Sequence, residues 1–446
     1  MAMPTTQGGT NVLPPSVPGK FTRMRKLGVT LARPLFAVIL AMIVGAIVIM
    51  LTTPGSFVDR FDTVTYAYAS LYQGSFGDPQ SLSYTLVRVG PLILTGISVA
   101  IAYRVGLFNI GAEGQLAVGA MTAGIIAFEL PKWPGWALIP LMIIASMVAG
   151  AIWGGIVGWL KAWRGAHEVV TTIMLNWIAF YVTDYFIDGP FKAPNQANQT
   201  RSLPLQATLP RVATVYNATL GKFLPPIASP DQYLTDVSIF IALLMLVIYW
   251  FVMSRTTYGY EIRVIGKNPR AAKYAGIPIG RNLIVTMALA GAVSGLAGAV
   301  HLMGQFPYQL IATTFSTDPT GFDAIGVALL GRTTAVGIFL GSLLFGGLRQ
   351  GGLLMQLNAN IPVDLAFIIQ ALVLFCIASE FLPMLRRLIP GRLGNHRPAL
   401  ALNRAGTSAT EQAQAQATET SDGSEQATSV AVADKEETRS QQVEEK

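Results

Sequence analysis

Long apolar blocks run along most of this chain: Pro34–Leu51, Thr85–Tyr103, Leu116–Leu130, Trp136–Leu160, Val169–Ile187, Val237–Met253, Leu283–Met303, Val336–Leu348 and Val363–Phe381. Most approach the ~20 residues that cross a bilayer as a helix. The pattern predicts an all-α polytopic membrane protein with about 9–10 transmembrane helices, some broken or re-entrant. The polar intervals alternate in character. Lys20, Arg23, Arg25, Lys26 and Arg33 precede the first block; Arg104, then Lys161, Arg164 and His167, then 254–281, then Arg386, Arg387 and Arg392 follow later ones. Basic intervals mark the cytoplasmic side, so both termini are expected inside. The intervals 52–84, 188–236 and 305–323 belong outside. The expected organisation is a disordered basic segment 1–30, a membrane domain 31–390 and a disordered tail 391–446. The first block is too long for a signal peptide and lacks a small-residue cleavage site after it.

Two stretches break this rhythm. Arg104–Gln115 places Gly106, Gly111 and Gly114 among Asn109, Glu113 and Gln115. Irregular backbone and a carboxylate near membrane depth are tolerated only inside protein or beside a wet cavity. These residues are therefore candidates for a transport pathway, with a purely structural Glu113, bonded to backbone amides or to Arg104 or Arg332, as the alternative. The second stretch, Gly321–Thr334, is also interrupted by glycine, too short to span, and bracketed by Asp323 and Arg332. Two full crossings from Asp323 would leave the basic end at Arg386 outside, so Phe322–Leu330 is needed as a half-crossing. A broken element in each half points to a site at a repeat interface.

Glu168, Thr172, Asn176 and Thr183 share one helical face, opposite Ile173, Trp177 and Phe180. That face lines a cavity or bonds neighbouring helices. The loop 254–281 carries Arg255, Arg263, Lys267, Arg270, Lys273 and Arg281. Inside it Asn268 suits a cap, Pro269 a first turn and Gly276 a helix end, which predicts a short cytoplasmic docking helix. His301 has no second His or Cys beside it and reads as structural.

Composition agrees: 52% of residues are hydrophobic and 12% charged, against about 25% charged in soluble domains. From Thr407 onward nine acidic and three basic residues give −6, leaving +13 on the rest of a chain of net +7. That excess suits anionic lipid better than nucleic acid. Cys376, the only cysteine, allows no intrachain disulfide. Gly221-Lys222 and Gly266-Lys267 are followed by Phe and Asn, so no phosphate-binding loop is present. No metal-ligand cluster or nucleophile–base set is evident, and catalysis, a metal and a cofactor are not expected on this chain.

The motif Gly106-Leu-Phe-Asn-Ile-Gly-Ala-Glu-Gly-Gln115 resembles the hallmark of permease subunits of bacterial ABC importers for nucleosides and simple sugars. His167-Glu-Val-Val-Thr-Thr-Ile-Met-Leu-Asn176 is similar to the second motif of the nucleoside branch. Gly189-Pro190, Asn268–Gly276 and Phe322-Asp-Ala-Ile-Gly-Val-Ala-Leu-Leu-Gly331 match as well, over roughly Thr85–Leu385. The resemblance implies a nucleoside permease in the bacterial plasma membrane, paired with a second permease, a cytoplasmic ATPase that consumes ATP and an extracytoplasmic substrate-binding lipoprotein. It implies pathway roles for Asn109, Glu113, Gln115, Thr172, Asn176 and Asp323, and ATPase coupling through Asn268, Arg270, Ala271, Tyr274 and Gly276. A sugar or branched-chain amino acid permease shares this architecture. An ion-coupled carrier using Glu113, Asp184 or Asp364 is the other class, and the docking helix argues against it.

Overall fold

A computed structural model describes residues 20–312 and 319–378 of the chain, with side chains over 35–312 and 319–376. The expectations for residues 1–19 and for the tail 391–446 lie outside these. The first helix, α1 (Lys20–Thr52), begins ahead of the expected boundary at 31. Then come α2 (Phe57–Tyr72), α3 (Pro79–Arg104), α4 (Ala112–Glu129), α5 (Gly135–Arg164), α6 (Glu168–Asp188) and the short α7 (Val212–Ala218). The second half comprises α8 (Ser238–Arg255), α9 (Thr257–Lys267), α10 (Pro269–Tyr274), α11 (Ile279–Gly304), α12 (Thr320–Leu330), α13 (Ala335–Ala359) and α14 (Asp364–Ala378). Among the described residues seven helices are long and apolar enough to cross a membrane: α1, α3, α5, α6, α8, α11 and α13. Helices α12 and α14 are shorter and apolar. The protein is a multi-pass, all-α membrane protein; isolated bridges are the only β pairing among the described residues, and they pin the loop after α6.

Burial sorts the helices into an inner and an outer set. Helices α3 and α11 are largely enclosed, whereas α1, α5, α6 and α8 keep most of their surface open. On α1 the open surface is a stripe, Leu35, Ile39, Ile43, Ile47 and Leu51, repeating every four residues and about half exposed or more. A stripe of that width on one face is what lipid covers. Between α5 and α11 the backbones touch. A Cβ on Gly150 would strike Gly291 O, and one on Gly291 would strike Gly150 O. Small residues at these positions allow that approach, which dispersion between closely packed helices then stabilises.

The segment expected outside after the first block is helical. Ser56 and Asp59 form a reciprocal capping box that starts α2. Its buried face, Val64, Ala67, Ser70 and Leu71, turns toward α13, where Gly351 leaves room for the Leu71 carbonyl. The helix of the eighth block is longer than its apolar run: α13 continues past Leu348 through Arg349 and Gln350 to Ala359.

Candidate functional site

At the end of α3 the chain turns back along its own helix. Gly106 adopts φ +87°, where a side chain is strained. Leu107 N–H donates to Ala102 O at 3.0 Å and closes the helix. The returning segment runs beside α3, so Asn109 Nδ2 reaches Ser98 Oγ at 3.2 Å. Asn109 and Gln115 then bond each other twice, at 3.0 and 3.2 Å, bracketing the first turn of α4. Both side chains are fully enclosed.

Helix α6 supplies the remaining partners. Asn176 Nδ2 donates to Ile110 O at 3.0 Å and its Oδ1 accepts Gly114 N–H at 2.9 Å. Thr172 Oγ1 donates to its own helix at Glu168 O, 2.8 Å, while its methyl crowds the position a Cβ on Gly111 would take. Ser294 on α11 donates to Ala112 O at 2.5 Å. Of the polar face expected on α6, Thr172 and Asn176 are thus buried against irregular backbone, whose groups need partners when no water is near, while Glu168 pairs with Lys161 at 2.8 Å.

Glu113 carries the main electrostatic feature. It stands in the first turn of α4 and is wholly buried. Its Oε2 accepts Gly321 N–H at 2.5 Å and Phe322 N–H at 3.2 Å. Those are first-turn amides of α12, whose own N-cap, Pro319, offers no side-chain bond. One carboxylate therefore sits at two helix N-termini, each with partial positive charge, through charge-assisted bonds. The approach depends on Gly321, where a Cβ would lie 2.5 Å from Glu113 N and 2.7 Å from its Cα.

The opposite end of α12 is also held. Thr333, at φ +51°, offers its carbonyl to Arg104 Nη2 and to Tyr249 Oη on α8, each at 2.7 Å. Asp323, one turn into α12, lies 3.4 Å from Arg349 on α13, and the Arg349 guanidinium stands over the Phe367 ring, 5.2 Å from its centre.

The short helix expected within Asn268–Gly276 is present as α10. Asn268 Oδ1 accepts the N–H groups of Arg270 and Ala271 at 3.0 and 3.1 Å, and Gly276 ends the turn at φ +75°. Only Ala272 points inward; Arg270 and Ala271 are exposed, and Tyr274 is 93% exposed. The preceding α9 abuts the end of α3, where a Cβ on Gly266 would strike Arg104 O. The exposed helix is therefore joined to the Arg104–Thr333 contact through packed backbone.

Asn109, Glu113, Gln115, Thr172 and Asn176 come together around the start of α4, and Asp323 lies nearby on α12. Asn268, Arg270, Ala271, Tyr274 and Gly276, expected to serve coupling, sit apart, beyond the Arg104 end. Ser294, Tyr249, Thr333, Arg349 and Gln370 were not anticipated. Arg349 and Gln370 are polar residues in or next to apolar runs, a visible signal; Ser294 and Thr333 leave none. Among the described residues no cluster of His, Cys, Asp and Glu is arranged to hold a metal ion.

Residues 81–378 match the family described as branched-chain amino acid transport system / permease component. The chain is 36% identical over 348 residues to the guanosine ABC transporter permease protein NupP of Bacillus subtilis, covering 78% of this chain and 93% of that one. It is 35% identical to the nucleoside ABC transporter permease protein NupB of Lactococcus lactis, over 78% of this chain and 91% of the relative. It is 34% identical to the glucose ABC transporter permease protein TsgB13 of Haloferax volcanii, over 82% and 92%. No solved structure matches.

Proposed function

The chain belongs to the permease-component family of branched-chain amino acid transport systems, and from that premise we propose that it is the membrane-spanning subunit of an ABC importer for nucleosides. The observation that carries this reading is the likeness to guanosine and nucleoside permeases over more than nine-tenths of their length. ATP is hydrolysed by a separate ATPase that docks on α10, where Arg270 and Tyr274 project from a capped helix. A second permease completes the pathway and an extracytoplasmic lipoprotein delivers the nucleoside. The end bearing α10 faces the cytoplasm, since 254–281 is the densest basic loop.

The cluster at Glu113 acts as the pivot of this machine. Asn109, Gln115, Thr172 and Asn176 hold the broken start of α4, and Glu113 holds α12 against it. The pathway runs beside α12 through Asp323, whose charge Arg349 balances. A neutral solute suits that lining, because a charged one would have to displace the ion pair.

The test is uptake of labelled guanosine and uridine in cells with and without this gene, competed by ribose, glucose and leucine. Loss of uptake with the gene, insensitive to those competitors, is expected. Unchanged nucleoside uptake with loss of glucose or ribose uptake makes this a sugar permease and overturns the reading.

A further inference from the structure

Between α12, α13 and α14 lies a cavity of about 460 Å³, within the ~300–1,000 Å³ typical of small-molecule sites. Its walls include Phe322, Asp323, Phe345, Asp364, Phe367 and Gln370. It lies toward the Asp364 end, away from α10, since α13 starts beside Arg104 and runs to Ala359 before α14 begins. Asp364 is exposed at that end, while Phe345 and Gln370 are buried deeper.

Gln370 is the informative residue. It is 3% exposed, and its Nε2 donates to Phe345 O at 3.1 Å. A carbonyl oxygen only accepts, so the amide orientation is fixed. Gln370 lines the cavity, and its Oε1 is buried and accepts no hydrogen bond among the described residues. A buried acceptor in that state is costly, and a bound donor satisfies it. Lipid hydrocarbon brings no donor. Water brings one but gains nothing from the three phenyl rings contributed by three separate helices. A planar heterocycle with an N–H edge gains from both, by stacking and by hydrogen bonding. The carboxylate of Asp323 is matched by Arg349 at 3.4 Å, so the cavity interior calls for a neutral solute.

We propose that this cavity is a nucleoside-binding subsite of the permease, with the base against Phe322 and Phe367, an N–H of the base donating to Gln370 Oε1, and the sugar toward Asp364. The proposal rests on the nucleoside reading above and adds where the solute is held.

The test uses the whole transporter in cells, with Cys376→Ala removing the only native thiol and Ala371→Cys placing one in the cavity wall, at an exposed position. A membrane-impermeant thiol reagent is expected to modify this cysteine. Guanosine or uridine is expected to slow the modification several-fold, and glucose to leave it unchanged. In addition, Phe367→Ala and Gln370→Met are each expected to raise the KM for uptake about tenfold or more, with protein level at the membrane unchanged. Modification that nucleosides do not slow, in cells that still import them, overturns the subsite and leaves the transport reading standing. Absence of modification overturns it as well, since the cavity is then closed. Protection by glucose instead, with glucose uptake, overturns the nucleoside choice for both.

Discussion

Glu113 accepts the backbone amide of Gly321 at 2.5 Å across 208 residues of chain, joining the broken element of the first half to that of the second. The carboxylate serves the start of α4 and the start of α12 together, and neither helix has a local side-chain cap.

Removing that oxygen exposes the arrangement. Glu113→Ala leaves two first-turn amides of α12 without their acceptor in a buried site, a loss of roughly 1–3 kcal/mol or more for a charged bond. Folded protein recovered in detergent is expected to fall sharply. Glu113→Gln keeps an acceptor and is expected to fold with a lowered Tm and reduced uptake. Normal thermal stability in both variants would show that the cap is dispensable.

Gly321→Ala probes the same junction from the other side. The added methyl meets the backbone of Ala112 and Glu113 within 3 Å, so α4 and α12 must separate. Overpacking of this kind costs about 1–3 kcal/mol. Uptake is expected to be lost more completely than with Gly165→Ala, where the left-handed backbone is strained but open space surrounds the Cβ.

Asn176→Ala removes a donor and an acceptor that serve Ile110 and Gly114. Two buried backbone groups lose their partners, at roughly 1–3 kcal/mol each. The expected result is a loss of stability in detergent that precedes any change in substrate preference. A variant with normal stability and altered KM would place Asn176 in contact with the solute.

Tyr274→Ala and Arg270→Glu alter side chains that project into solvent from α10. Insertion and Tm are expected to be unchanged while uptake is abolished by Arg270→Glu and reduced by Tyr274→Ala. Co-purification of the ATPase gives an independent readout. Retained uptake with either variant would move the coupling contact elsewhere.

Asp236, in the loop before α8, gives a pH prediction. Burial pushes its carboxyl above the ordinary value of 3.8, against hydrogen bonding from Ser238 that lowers it. The folded chain therefore keeps this proton to higher pH than the unfolded chain does. Its contribution to stability is fully present below 3.8 and declines as pH rises through the elevated folded value. Asp236→Asn retains the Oδ1 acceptor for Ser238 N–H and is expected to flatten the fall in Tm between acidic and neutral pH. An unchanged Tm profile would contradict this account.

Local chemistry was legible in the sequence wherever the partners lie within a turn or two. The capped helix at Asn268–Gly276 and the shared face of Glu168, Thr172, Asn176 and Thr183 follow from spacing alone. A short apolar helix near Phe322 was also expected, and it starts slightly earlier, at Thr320. The partners of that face were not legible, because Ile110, in the irregular turn after α3, and Gly114, on α4, bond it from a distant part of the chain. For Glu113 the kind of partner, backbone amides, was among the expectations, but its place on Gly321 and Phe322 was not; the contacts of Glu113, Arg104 and Asp323 span long separations that leave no periodic trace. Arg349 illustrates the limit: a cation beyond Leu348 ends an apolar run in any window, yet its pairing with Asp323 and its place over Phe367 keep it inside a helix.

The distance in sequence between Glu113 and Gly321 also orders events during synthesis. At ~5–20 residues per second, about 10–40 s separate the two ends of this bond. The first half reaches the bilayer with an acidic residue whose acceptor role has nothing yet to fill it, and the second half completes it. Translation stopped just before α12 should leave α4 inserted but susceptible to membrane proteases, and co-expression of the missing half as a separate polypeptide should restore its lifetime.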